Sequence, residues 1–193
     1  MLEKAATKLT AYMVDKKIVC AEDEEVYVYG WSLIFSTLGS VLVMLLVAVI
    51  AGEILGTLIF MAFMFTLRPY AGGYHANTYL RCFLLSITSY TITLSAILFW
   101  SVHFLNWALV LLLFSVLIIF MYAPVDHPNK PLKDHEKQRN KIISRIVVSI
   151  QATLVLCLRF LLPDIRHYLL WAMLGMTMTG ITLLYVILKP YDR

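Results

Sequence analysis

Charged residues are scarce in this sequence, and this scarcity is its most informative feature. Only 15% of the 193 residues are Asp, Glu, Lys or Arg, whereas 61% are hydrophobic and the mean hydropathy is +0.80. A soluble domain of this size needs a much more polar surface. The composition therefore excludes an ordinary soluble protein and predicts an integral membrane protein.

Cysteine is also scarce, and its spacing excludes several kinds of site. The three cysteines, Cys20, Cys82 and Cys157, lie far apart and form no C-x-x-C pair. Neither a disulfide framework nor a zinc site is indicated, and we predict no metal or other cofactor. The sequence has no G-x-x-x-x-G-K-[ST] phosphate-binding motif. It also lacks an arginine-rich aromatic platform, so nucleic acid is not an expected partner.

What is present instead is a series of long apolar segments. Six are found, at residues 33–51, 54–67, 83–100, 104–122, 146–162 and 168–188. A bilayer core of about 30 Å needs about 20 helical residues, so only the second segment is marginal. We predict an all-α integral membrane protein with about six transmembrane helices, forming a single membrane domain over residues 1–193.

The region before the first span, residues 1–29, predicts an amphipathic helix at the membrane interface. Its apolar residues recur at helical spacing, and its lysines lie mostly off that stripe. The first span starts beyond residue 30 without a small-residue cleavage site, so we expect the N-terminus to be retained. The acidic run Glu22–Glu25 suits a helix start. An acidic patch that receives a basic peptide is the alternative.

The basic residues predict the orientation in the membrane. Fourteen of the sixteen Lys and Arg residues fall on the cytoplasmic side if the N-terminus is cytoplasmic and all six spans cross. Only Arg159 and Arg166 then face outward, as the positive-inside rule prefers. We therefore predict that both termini are cytoplasmic and that residues 68–82 lie at the cytoplasmic face.

Residues 68–82 bring a histidine and a cysteine together in a polar, glycine-containing interruption. An imidazole can accept the thiol proton, so His75 is a candidate base for a Cys82 nucleophile. Backbone amides after the Gly72-Gly73 pair can stabilise an oxyanion. The ordinary alternative is that Cys82 is a small buried side chain and His75 a hydrogen-bonded one.

The spacing of this pair sets a geometric condition. On a straight helix, side chains seven residues apart are separated by about 10 Å along the axis, at ~1.5 Å per residue. Either the chain between Gly72 and Cys82 is bent, or His75 and Cys82 meet across a protomer boundary. Pro69 and the two glycines favour the bent version. Non-helical backbone at membrane depth must line an enclosed cavity, which predicts a cavity open to the cytosol.

A third residue that orients the imidazole is not evident from the sequence. Asn77, Ser86 and Asp126 remain open as candidates.

A second polar landmark is the basic cytoplasmic loop at residues 123–145. Its prolines favour extended chain, and the charges that follow have the spacing of a basic helix leading into the fifth span. Such a segment typically anchors the topology. A docking surface for an acidic substrate tail is the alternative.

At these landmarks the chain resembles the AgrB family, the bacterial membrane peptidases that mature the quorum-sensing precursor AgrD. The matching residues are Arg68, Ala71-Gly72-Gly73-x-His75-Ala76, Cys82, Pro124 and Asn129-Lys130-Pro131. The resemblance implies a cysteine endopeptidase of the bacterial cytoplasmic membrane that faces the cytoplasm, with an AgrD-like precursor and the lipid bilayer as its partners.

The resemblance also implies the roles of individual residues. Cys82 would be the nucleophile and His75 the general base and acid, and Arg68 with the two glycines would shape or polarise the site. A thiol or hydroxyl of the bound peptide would resolve the acyl-enzyme and give a thiolactone or lactone. Further supporting residues, for the oxyanion or for substrate binding, are expected at Ser86, Asn129 and Lys130.

Two other classes of function stay open. Polar residues inside a membrane bundle also mark translocation routes, so a transporter of small molecules or peptides without a catalytic thiol is the main alternative. A non-catalytic scaffold is the other. Small residues on the last span, Gly175 and Gly180, can support helix packing within one chain or in a homodimer.

Overall fold

The computed structural model describes residues 2–73, 79–100, 104–125 and 132–188, and its regular elements are helices. The α-helices are α1 (Leu2–Asp15), α2 (Glu24–Ala51), α3 (Ile54–Ala71), α4 (Tyr79–Trp100), α5 (Phe104–Tyr122), α6 (Asp134–Leu161) and α7 (Arg166–Leu188). Short 3-10 turns precede α2 and α7. Helices α2 to α7 are all long and apolar enough to cross a membrane. The predicted all-α fold with six candidate spans is confirmed.

The predicted N-terminal helix is present as α1. Its lysines are exposed, and its buried face is formed by Ala6 and Thr10, each with 0% exposure. Tyr12, which the apolar pattern places on the same stripe, is 58% exposed. The buried face is therefore narrower than the apolar stripe, and the placement of α1 at a membrane surface stays a prediction.

Two helices are longer than the apolar segments that predict them. Helix α3 continues past residue 67 to Ala71 and has 18 residues, about 27 Å at 1.5 Å per residue. Helix α6 begins at Asp134, so the charged second half of the 123–145 segment forms its first turns, and the expected basic helix leading into the fifth span is confirmed. The backbone N–H of Lys133 donates to Glu136 Oε2 at 2.9 Å and so caps the start of α6.

The chain divides into two compact units, which are residues 1–47 with 76–90 and residues 48–75 with 91–193. The single membrane domain stays a prediction. In the first unit, α2 buries a row of small side chains at four-residue spacing, Ser32, Ser36 and Ser40. The Ser40 hydroxyl donates to the Ser36 carbonyl within the helix at 3.0 Å, so its polar group is satisfied locally.

The second unit is organised around α7, which packs against α3, α5 and α6. A Cβ built on Gly175 would lie 2.7 Å from the Phe60 carbonyl oxygen of α3, and one on Gly180 would lie 2.5 Å from Ser115 Cβ of α5. Both glycines thus permit close backbone approach on two sides of α7. Of the two packing roles left open for these residues, the structure shows packing within one chain.

Candidate active site

The two motif glycines end α3 in a conformation that suits glycine. Gly72 has φ +78° and Gly73 has φ +146°, a region that L side chains rarely adopt. The Gly72 N–H donates to the Arg68 carbonyl at 2.9 Å and closes the last turn of the helix. The glycine pair therefore ends the regular helix with a backbone conformation that other residues rarely adopt.

The space around these glycines is also filled. A Cβ on Gly72 would lie 2.5 Å from the Val125 carbonyl oxygen, and a Cβ on Gly73 would lie 2.9 Å from Thr182 Oγ1 on α7. The Val125 N–H donates to the Ala71 carbonyl at 3.2 Å. The first landmark therefore packs directly against the start of the second one. A side chain at Gly72 would press on Val125, and one at Gly73 would press on Thr182 of α7.

Pro69 lies inside α3 and does not break it, and the helix ends two residues later at the glycine pair. The predicted bend between Gly72 and Cys82 stays a prediction, because residues 74–78 lie outside the described parts of the chain. Neighbouring helices can compensate for the hydrogen bond that a proline removes in a membrane helix. Arg68 is half-buried in the last turn of α3.

The candidate nucleophile lies near the start of the next helix. Helix α4 is described from Tyr79, and Cys82 lies in the first turn described. Its thiol is free and half-buried, whereas Cys20 and Cys157 are free and exposed. Cys82 is the one cysteine of the three that the structure partly shelters from the surroundings.

Ser86 lies one turn beyond Cys82 on the same helix. Its hydroxyl donates to the Cys82 carbonyl oxygen at 2.9 Å. The hydroxyl proton of Ser86 is therefore used in a hydrogen bond to the backbone of Cys82. Ser86 therefore supports the turn around Cys82, and its predicted role toward the imidazole stays a prediction.

Several predicted site residues lie outside the described parts of the chain, and their roles stay predictions. They are His75, Asn77, Asp126, Asn129 and Lys130. Within the described ranges, no group of three or more His, Cys, Asp or Glu side chains can hold a metal ion.

Two polar connections were missed by reasoning from the sequence. His167 Nε2 lies 3.0 and 2.9 Å from the two carboxylate oxygens of Glu53, which joins the α2–α3 turn to the start of α7. Gln151 of α6 donates two hydrogen bonds to α3. A single glutamine within an apolar span is a visible signal, but its partners lie more than 80 positions away in the sequence.

The elements described so far define a polytopic helical membrane protein in which a glycine turn and a sheltered thiol lie at the ends of two spans. The sequence profile of accessory gene regulator B, AgrB, matches residues 6–183. The chain belongs to the AgrB family, and the resemblance noted at the motif is confirmed.

Curated relatives agree with this assignment. The chain is 34% identical to an AgrB-like protein of Clostridium perfringens strain 13, over 69% of this chain and 71% of the relative. It is 29% identical to accessory gene regulator protein B of Staphylococcus haemolyticus, over 85% and 84%. The corresponding protein of Staphylococcus aureus strain MW2 is 27% identical over 84% and 83%. No solved structure matches the chain.

Proposed function

We propose that the protein is a membrane cysteine endopeptidase that cleaves an AgrD-like precursor peptide in a quorum-sensing system and promotes its cyclisation. The observation that carries the proposal is Cys82 itself, a free and half-buried thiol in the first described turn of a spanning helix of an AgrB-family chain. A thiol in this setting can form a covalent acyl intermediate.

In the proposed reaction, His75 accepts the Cys82 proton, and the sulfur attacks the carbonyl carbon of the scissile peptide bond. The C–N bond breaks, the imidazolium returns the proton to the leaving amine, and the C-terminal part of the precursor departs. The N-terminal part is left on Cys82 as a thioester. A cysteine thiol of the same peptide then attacks the thioester carbonyl, closes the ring and restores the Cys82 thiol.

The glycine turn supports this proposal through its position in the chain. Gly73 is two residues before His75. A Cβ on Gly72 would meet Val125 and one on Gly73 would meet Thr182, so the backbone of the glycine pair lies close against both residues. Preorganised backbone near a reacting group lowers the cost of orienting it. We propose that the turn sets the direction in which the chain enters the catalytic segment.

Membrane enclosure suits the second half of the reaction. Exchange of one thioester for another is nearly balanced in free energy, so water must be kept from the acyl-enzyme while the cleaved tail is lost. A precursor held on the bilayer keeps its attacking thiol at high effective concentration. We propose the bacterial cytoplasmic membrane as the location, with the site facing the cytoplasm, because the basic residues favour that orientation.

Substrate contact is proposed for the exposed start of α6. Lys133, Lys137, Arg139 and Lys141 are exposed there, next in sequence to Asn129 and Lys130. A cluster of cations can attract an acidic peptide tail.

Cleavage by cysteine variants tests the proposal. With a co-expressed precursor, Cys82→Ser and His75→Ala should each reduce cleavage by at least about a thousandfold, since nucleophile and base act as one unit. Cys20→Ser and Cys157→Ser are the matched controls, and both should cleave like the unchanged protein. Precursor processing that persists in Cys82→Ser would refute the assignment, and transport that is insensitive to thiol alkylation would favour the transporter.

A further inference from the structure

A buried glutamine joins α6 to α3 inside the second unit. Gln151 is only 8% exposed and lies on the buried face of α6 between Val148 and Val155, which are both 0% exposed. Its Nε2 donates to the Phe63 carbonyl oxygen at 3.1 Å and to Thr66 Oγ1 at 2.8 Å. A carbonyl oxygen can only accept, so the atom facing Phe63 is the nitrogen. Both amide protons of Gln151 are used on α3.

The other polar atom of the Gln151 side chain is expected to lower the stability of the fold. Gln151 Oε1 is buried and has no hydrogen-bond partner among the described residues. A buried acceptor without a partner destabilises a protein, and an apolar side chain of similar size would avoid the penalty. Polar side chains retained inside membrane spans are typically functional.

The two hydrogen bonds fall on the turn of α3 just before Pro69. Proline has no N–H, so the Phe65 carbonyl four residues earlier lacks its usual donor within the helix. The Thr66 hydroxyl donates to the Ala62 carbonyl at 2.6 Å and accepts from Gln151 at the same time. Gln151 therefore braces from α6 the part of α3 whose own hydrogen-bond ladder is interrupted.

We propose that Gln151 is a positioning residue for the peptidase site, acting through α3. Its amide holds the turn before Pro69, and the glycine contacts with Val125 hold the end of the helix. With the Gln151 bonds at one end and the Val125 contacts at the other, the backbone of the Arg68–Gly73 segment is fixed. This segment leads to His75, so we infer that it orients the chain that carries His75. This inference rests on the proposed function.

The first variant removes the brace and keeps the volume. Gln151→Met has similar length and no hydrogen-bonding amide, and the Thr66 hydroxyl keeps its bond to Ala62. We expect kcat for precursor cleavage to fall about fivefold to tenfold while KM changes by less than about twofold. The unfolding temperature should stay level or rise, because the unpaired Oε1 is gone. An unchanged kcat would overturn the inference.

A matched pair on α3 tests the same bond from its other end. Thr66→Val removes the acceptor and should lower kcat in the same way, whereas Thr66→Ser keeps the hydroxyl and should retain wild-type kcat. The double variant Thr66→Val with Gln151→Met should be no more than about twofold slower than Gln151→Met alone, because both changes break one shared contact. Fully multiplicative losses would contradict a common role, and so would equal rates for Thr66→Val and Thr66→Ser.

The outcomes separate this inference from the function on which it rests. If the unchanged protein cleaves the precursor and the Gln151 and Thr66 variants cleave equally well, only the positioning role fails. If the unchanged protein does not cleave, the proposed function fails, and this inference fails with it.

Discussion

Helices α7 and α2 are both long apolar spans, yet they are buried to very different extents. In the most apolar stretch of each helix, 67% of the residues of α7 are buried but only 22% of those of α2. Lipid chains are as apolar as leucine, so hydrophobicity does not decide how far a helix is buried. One difference between the two helices is how closely their glycines approach neighbouring residues.

On α7, two glycines lie in close contact with residues of neighbouring helices. Gly175 lies against the backbone of Phe60 and Gly180 against Ser115. On α2, a Cβ at Gly30 would meet nothing within 4 Å, and one at Gly39 would lie 4.0 Å from the Phe83 ring, an ordinary contact distance. Glycine content therefore does not reveal packing by itself, and substitutions at matched positions can test the contrast.

The largest effect on stability is expected for the tryptophan of α7. Trp171 is 0% exposed, packs edge to face on Phe60 at 6.3 Å between ring centroids, and occupies the space where Gly56 would have a Cβ. Trp171→Ala should destabilise the protein by about 2–4 kcal/mol, because it leaves a cavity in a packed interior. Trp31→Ala on α2, where the ring is half-buried, should cost clearly less. Unfolding in mixed detergent micelles measures both, and equal losses would remove the contrast between the two helices.

A smaller effect is expected at the glycines. Gly175→Ala should destabilise by about 1–3 kcal/mol, because its Cβ would press on backbone atoms that cannot turn away. Gly39→Ala is the matched control on α2 and should not destabilise the protein, because its Cβ meets only one atom, at an ordinary contact distance. The same unfolding assay applies. A tolerated Gly175→Ala would show that α3 and α7 are less closely packed than described.

The smallest effect should have the opposite sign. Gly30→Ala adds a methyl group in open space and removes chain flexibility from the unfolded state, so it should stabilise by about 0.5–1 kcal/mol. Gly72→Ala adds the same methyl group at a positive φ against Val125 and should be destabilising. Stabilisation by both changes would contradict the conformation described for the glycine turn.

Much of the fold could be predicted from the sequence because the membrane restricts the alternatives. Long uncharged segments must be helical in lipid, so the spans and the N-terminal helix follow from composition and periodicity. Helix ends were predicted less well. The apolar segment that predicts α3 stops at residue 67, before Arg68 and Pro69, yet the helix continues to Ala71.

The candidate site was predictable only in part, for a physical reason. The choice of Cys82 as the candidate nucleophile, and of the glycine pair as an interruption of regular helix, rests on local chemistry, which a sequence displays. The contacts of the glycine turn with Val125 and Thr182, and the brace from Gln151, depend on which helices become neighbours. Such long-range partners are set by packing, and a single sequence carries no local signal for them.

The most direct test of the account is to trap the acyl-enzyme. The purified protein in lipid vesicles would be incubated with a precursor whose ring-closing cysteine is replaced by alanine, so that the thioester has no internal nucleophile, and then digested for mass spectrometry. The N-terminal part of the precursor should be attached to the peptide containing Cys82, in the unchanged protein and in Cys157→Ser but not in Cys82→Ala. Attachment to a different residue, or cleavage by Cys82→Ala without any adduct, would contradict the proposed role of Cys82.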